Sequence, residues 1–241
     1  MRTARRSTTL QLVSSIGRAD RSSLQESVYD KLRSAIMFGK LVPGEPVWIS
    51  GLAASLGTSP IPVREATRRL AAEKAIDILP NGSIAIPAMT RERFADLRRT
   101  RVLIERFATS LAAPLISAVL LKRMAVASEK RKAACEAGNL RSALHYAYRL
   151  RLTLFEAAGS PSLLPMIESL WLQVGPYFNI ALTREMQTAS TGYQQKVLDA
   201  LNAGDGESAC RWIERDIMDV GDQILAALKE HDGRSPLDVL S

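Results

Sequence analysis

Arg64, Arg68 and Arg69 are the residues of this 241-residue chain best suited to gripping a partner. Arg64 and Arg68 stand four apart, which puts them on one face of a helix, with Arg69 beside them. A guanidinium is a fixed charge with a planar fork of donors. Two on one helical face can meet guanine edges or phosphates in a DNA major groove. The plainer alternative is a solvated helix whose arginines pair with Glu65 and Glu73. Nothing comparable exists for catalysis. The chain has two histidines, His145 and His231, and two cysteines, Cys135 and Cys210, and neither cysteine has a histidine close in sequence. There is no Gly-rich phosphate loop, no Ser–His or Cys–His arrangement and no Glu-x-x-His helix motif. The chain therefore reads as a binding protein without a cofactor, and not as an enzyme.

Charge points the same way. Lys and Arg number 32 against 25 acids, a net charge of +7. Residues 1–88 hold 12 of those cations and 7 of the acids, so +5 lies in the first third and +2 in the rest. A concentrated positive field suits a nucleic-acid partner. Hydrophobic residues make up 46% of the chain, which fits a soluble globular protein long enough to bury a core. Two cysteines cannot build a disulfide framework, so a reducing cytoplasm is expected. No apolar run approaches the ~20 residues of a membrane span, so no membrane partner is expected. Residues 1–21 read as a basic flexible tail: an arm for phosphates, an inert leader or a transit peptide. Residues 232–241 read as a second flexible tail.

The arginines need elements to carry them. Ser22 or Ser23 can cap a helix from Leu24, with Leu24, Val28, Leu32 and Ile36 as its apolar stripe and Gly39 as its end. Pro43-Gly44 makes a turn. A short second helix carries Ile49, Leu52, Ala53 and Leu56 and closes at Gly57. Ser59 caps a third helix, with Pro60 and Pro62 in its first turn and Val63, Ala66 and Leu70 facing inward. Two short helices joined by so tight a turn, the second with an arginine face, describe a helix-turn-helix. Asn81-Gly82 between two Ile-rich runs then predicts a hairpin, and with it a winged helix over 22–88.

Residues 90–231 show six helical patterns and no strand pattern. They are expected at about 90–113, 116–137, 140–157, 161–184 (kinked at Gly175-Pro176), 188–203 and 206–230. The fold class is mainly α: an N-terminal winged helix-turn-helix and a C-terminal six-helix bundle.

The run from Ser59 through Arg64-Glu65-Ala66-Thr67-Arg68-Arg69 to Leu70 resembles the recognition-helix signature of GntR-family transcriptional regulators. So do Leu52-Ala53-Ala54-Ser55-Leu56-Gly57 and the opening Val28-to-Ile36 pattern. Further on, Arg101-Val102-Leu103-Ile104-Glu105, the segment from Phe155 to Pro161, and the segment from Val197 to Asp205 resemble the all-helical FCD-like effector domain of the FadR-type branch. The helix count is similar to its shorter, VanR-like version. The resemblance implies a cytoplasmic homodimer that binds a palindromic double-stranded DNA operator, as a repressor, and answers to a small-molecule effector. It implies DNA contacts from Ser59, Ile61, Pro62, Arg64, Arg68 and Arg69 on the recognition helix, and from Asn81 and Gly82 at the wing tip. Pro60 departs from the arginine that many members have there, and Ser50 stands where a basic residue is common.

Many such effector domains hold a divalent metal on one Asp and three His. Matched by the flanking motifs, those positions fall on Ala147, Arg151, Gln194 and Asp216, so none of the four ligands is retained. His145 lies two residues from the Asp position and is read as a surface histidine. No metal is expected unless the alignment is out of register, in which case the effector site would depend on one. Arg151 puts a positive fork where a cation would sit. Either Arg151 and Asp216 form a pair that only holds helices together, or Arg151 and Gln194, joined by Arg101, receive a carboxylate or phosphate. In the first case the bundle is purely structural. Trp171, Tyr177 and Phe178 are candidates to line the same space.

Overall fold

The computed structural model describes residues 20–181 and 184–230. The tails expected at 1–21 and 232–241, with His231, lie outside the described residues, apart from the backbone of Asp20 and Arg21. The described chain is mainly helical, with one two-stranded sheet.

The N-terminal winged-helix unit, the DNA-reading unit expected from the sequence, is built from α1 (Asp20–Met37), α2 (Ile49–Leu56), α3 (Pro60–Ala72), β1 (Asp77–Ile78) and β2 (Ile84–Ala85). Val28, Leu32 and Ile36 of α1 are buried, but Leu24 is exposed. A four-residue spacing overshoots a helical turn by about 40° per step, so a stripe drawn that way drifts off the core within three steps. Tyr29 takes the vacated place beneath α3. α1 starts at Asp20, before the expected Leu24, and the side chains of Ser22 and Ser23 lie outside the described residues. In α3, Val63, Ala66 and Leu70 are buried as the pattern required. The hairpin pairs Asp77 with Ala85 and Ile78 with Ile84, antiparallel. Val47 joins it as a third edge, exchanging backbone hydrogen bonds of 2.7 and 2.9 Å with Ile84.

The bundle consists of α4 (Arg91–Ala112), α5 (Ala118–Glu136), α6 (Leu140–Glu156), α7 (Leu163–Ala181), α8 (Arg184–Asn202) and α9 (Gly206–Glu230), with a 3-10 turn at Ala113–Leu115. Side-chain caps start four of them: Thr90 accepts from the Arg93 amide, Ser117 from Leu120, Asn139 from Ser142 and Asp205 from Ser208. The chief packed pairs are α5 on α6, α4 on α9 and α8 on α9. Among the described residues, no helix is long and apolar enough to cross a membrane.

Helix α7 joins the two units, because α1 packs on its outer side. Gly175 makes this possible: a Cβ there would lie 2.7 Å from the Met37 carbonyl oxygen. Three polar contacts accompany the approach. Arg33 pairs with Glu168 at 2.9 Å, the Ser169 hydroxyl donates to the Glu73 carbonyl at 3.4 Å, and the Tyr177 hydroxyl donates to that of Pro87. Burial together with the Glu168 carboxylate pushes the Tyr148 hydroxyl up to about 12, so it remains a donor to Glu168.

Candidate functional site

At the tip of the DNA-reading unit, Ser59 occupies the N-cap of α3 with extended backbone but makes no capping bond. The reason is local: Pro62 at the third helical position has no N–H to give. The Ser59 hydroxyl is therefore not engaged in a cap. Ile61 is 69% exposed on the first turn of α3. Arg64 and Arg68 lie on the exposed side of the helix, as their spacing required. Arg68 pairs with Glu65 at 2.9 Å in an exposed contact, and such pairs contribute only ~0.2–1 kcal/mol. Two residues are placed otherwise than the sequence pattern suggested. Pro62 is buried and shapes the first turn from inside. Arg69 faces α1, stacked 3.6 Å above the Tyr29 ring and held by Glu26 at 3.1 Å and Glu73 at 3.5 Å. The alternative of paired surface arginines thus holds for Arg69 and, loosely, for Arg68. In the wing, the Gly82 amide donates to the Leu79 carbonyl at 2.9 Å, and Gly82 has φ of +81°, a value only glycine adopts without strain. The Asn81 side-chain oxygen accepts from the Ser83 amide at 3.0 Å and hydroxyl at 2.7 Å. Asn81 and Gly82 are both exposed.

The second site is a cavity of about 50 Å³ inside the bundle. Arg101, Ala147, Arg151, Gln194 and Asp216, from four different helices, all line it, so the structure brings together every residue read from the pocket positions. Arg151 is the hub. One end of its fork donates to Glu105 at 2.6 Å and the other to Asp216. Glu105, fully buried, also accepts from Arg101 at 2.8 Å and from the Trp171 indole at 3.0 Å. Asp216 also accepts from Ser190 at 2.5 Å. Burial works against the Arg151 charge, but the two carboxylates outweigh it and hold its pKa above the usual guanidinium value. For Arg131, on the same wall, burial prevails and pulls the pKa down. Among the described residues, Arg101, Arg131 and Arg151 and the carboxylates of Glu105 and Asp216 gather at this cavity. The Gln194 side-chain oxygen is buried with no hydrogen-bond partner among the described residues. Trp171 and Phe178 form an apolar wall, whereas Tyr177 turns away to Pro87.

A divalent metal does not suit these residues. Among the described residues, Asp216 is the one carboxylate on the wall, and a guanidinium already holds it. Among the described residues, no group of three or more His, Cys, Asp or Glu converges anywhere. His145 is exposed, with its ring 5.2 Å from that of Phe38.

Glu105, Arg131 and Ser190 were not singled out from sequence as cavity residues. For Glu105 a signal existed. Phe94, Leu97, Arg101, Glu105 and Ala108 follow one another at three- and four-residue steps, so two charged residues occupy the inward phase of α4. Arg131 stands in the same way in line with Met124, Ser128 and Cys135 on α5. Ser190 carried no such mark.

Comparison with known proteins agrees with this division. Residues 24–86 match the bacterial regulatory proteins of the gntR family, and residues 96–219 match the FCD domain. The chain is 30% identical over 206 residues to the HTH-type transcriptional regulator McbR of Escherichia coli (strain K12), covering 84% of this chain and 92% of the relative. It is 27% identical over 192 residues to a probable D-xylose utilization operon transcriptional repressor of Paenarthrobacter nicotinovorans, covering 80% and 84%. The solved structure of E. coli McbR/YncC superposes with a TM-score of 0.77 at 26% identity, covering 86% of this chain and 98% of that one. A putative GntR regulator from Rhodococcus sp. RHA1 has the same fold, with a TM-score of 0.73 at 21% identity and coverage of 85% and 98%. The likeness to transcription regulators thus runs along most of the chain, and the protein belongs to the GntR family of DNA-binding transcription regulators, with an FCD domain as its C-terminal half.

Proposed function

We propose that this regulator is a homodimeric repressor that reads a palindromic operator and is released or retained by a small organic anion bound without metal. The observation that carries the reading is the convergence of three buried guanidiniums, Arg101, Arg131 and Arg151, on one cavity with an apolar wall of Trp171 and Phe178. A monoanionic carboxylate or phosphate matches such forks of donors in both charge and geometry. Gln194 supplies an acceptor for a hydroxyl or amide on the same ligand. One water takes about 10–15 Å³ by this kind of measure, so the closed cavity admits only a handful of atoms. Anything larger must part Arg151 from Asp216, which are on different helices.

Ser59, Ile61, Arg64 and Arg68 then meet the major groove, and Asn81 and Gly82 reach the neighbouring backbone or minor groove. Arg69 and Pro62 hold the recognition helix in place. Helix α7 is suited to couple the sites. It lines the cavity with Trp171 and Phe178 and carries Glu168, Ser169 and Gly175 to the DNA-reading unit. An anion that shifts α7 changes how the winged helix is held, through a coupling of typically ~1–3 kcal/mol, or ~5- to 150-fold in operator affinity. The test is operator binding by fluorescence anisotropy with and without members of a carboxylate and phosphate series. The duplex is one selected by the protein from a randomised library. A second reading, a bundle that is only structural, draws support from the closed Glu105–Arg151–Asp216 bridge. It is the one to adopt if no anion changes operator affinity.

A palindrome calls for two copies. Leu103, Phe107 and Leu111 recur every four residues on the outer face of α4, 72%, 57% and 37% exposed, with Leu115 beyond them. An apolar stripe of this length suits a second copy. Phe107→Glu is expected to convert the dimer to a monomer at micromolar concentration and to abolish high-affinity operator binding. A variant that stays dimeric by light scattering would place the seam elsewhere.

A further inference from the structure

The winged helix is not the only positive region. Residues 118–156 carry eight Lys or Arg and three acids, a net +5 within the C-terminal 153 residues whose total is only +2, and with Arg131 and Arg151 buried at the cavity +3 of it remains for the surface. Helices α5 and α6 pack against each other, and an open groove of about 420 Å³ runs along their outer side. Lys122, Arg123, Lys130 and Arg149 line it, with His145 and Tyr146, and no carboxylate lines it among the described residues. None of the four cations is within ion-pair distance of a described acid, although exposed Arg99, Arg211 and Arg215 elsewhere on the bundle are each paired. Lys130 instead sits 5.8 Å from the Tyr146 ring. Burial and the Arg149 charge lower the pKa of His145, so it is neutral near pH 7 and the groove's charge comes from Lys and Arg.

Four like charges without counter-charges repel one another, and a polyanion relieves that repulsion. Small organic ligands favour enclosed pockets. This groove is open, and its cations stand exposed on both lips. It also adjoins the DNA-reading unit, because His145 packs against Phe38, the residue that follows α1. We infer that the α5–α6 groove holds the sugar–phosphate backbone of duplex DNA flanking the base-read half-site, so that the effector domain itself contributes phosphate contacts.

The test compares wild type with the triple variant Lys122→Ala, Arg123→Ala, Arg149→Ala. The operator selected from a randomised library is used as a bare core and with about one helical turn (~10 bp) added on each side. Each lost phosphate contact reduces the slope of log K against log salt by about 0.9. On the extended duplex the variant is expected to lose about 2.7 from that slope, and its affinity at low salt should fall by at least about tenfold. On the bare core it should match wild type. The control Arg99→Ala, Arg211→Ala, Arg215→Ala removes equal charge from paired positions and should leave both slopes unchanged. Equal loss on core and extended duplex would reduce the groove to a general field effect and overturn the proposal. So would unchanged slopes on both in a folded variant. Loss of the dimer would mean that the groove receives a second copy of this chain, which also overturns it.

Discussion

Replacing Arg64 and Arg68 together with Ala lowers affinity for the selected operator by about 30-fold to 10⁴-fold, because each bidentate base contact is worth ~1–3 kcal/mol. Both side chains are exposed, and the Glu65 partner of Arg68 is weakly bound, so neither is needed by the fold. The variant should keep its stability to within the ~0.5 kcal/mol typical of surface changes. Its residual DNA binding should be sequence-indifferent and salt-dependent, since phosphate contacts remain. Anisotropy with operator and scrambled duplexes measures both quantities. Operator affinity within threefold of wild type would mean that α3 does not read bases.

Removing Arg151 has the largest expected effect on the bundle. Its fork joins two buried carboxylates from helices α4 and α9. Without it, Glu105 and Asp216 face each other with less compensation. Deleting one partner of a buried pair destabilises by ~3–5 kcal/mol. At ~2–4 °C per kcal/mol for a chain of this size, Arg151→Ala should melt about 6–20 °C lower. That loss would obscure any effect on ligand response. Arg151→Lys is the informative variant, since it keeps one charge but cannot hold both carboxylates in a planar fork. It should melt closer to wild type, bind operator, and respond poorly to the anion. A calorimetric scan checks the first expectation, and anisotropy checks the other two. Arg151→Ala melting within 2 °C of wild type would show that the bridge does not support the bundle.

Much of the architecture was legible because its signals are local. Gly57 and Ser59 delimit the turn of the helix-turn-helix, and Asn81-Gly82 marks the wing. The five residues read from the pocket positions line one cavity for a similar reason: motifs on or just before their helices fixed the register. What escaped depends on tertiary partners. Arg69 looked like a third reading arginine, but Tyr29 and Glu26, 40 and 43 residues away, hold its guanidinium against α1. Glu105 meets Arg151 across 46 residues and Arg151 meets Asp216 across 65, so only one of those pairings was foreseen. The basic groove was hidden by summation, since acids elsewhere in the C-terminal part cancel most of the +5 on α5 and α6.

The most direct test of the central claim is the melting temperature of wild type and Arg151→Lys against a series of small carboxylates and phosphates. A ligand at 100 times its dissociation constant stabilises by ~2.7 kcal/mol, or about 5–10 °C here. The account predicts that at least one monoanion raises the melting temperature of the wild type by that amount and of the variant by much less. Equal shifts in both proteins, or none across the series, would contradict it.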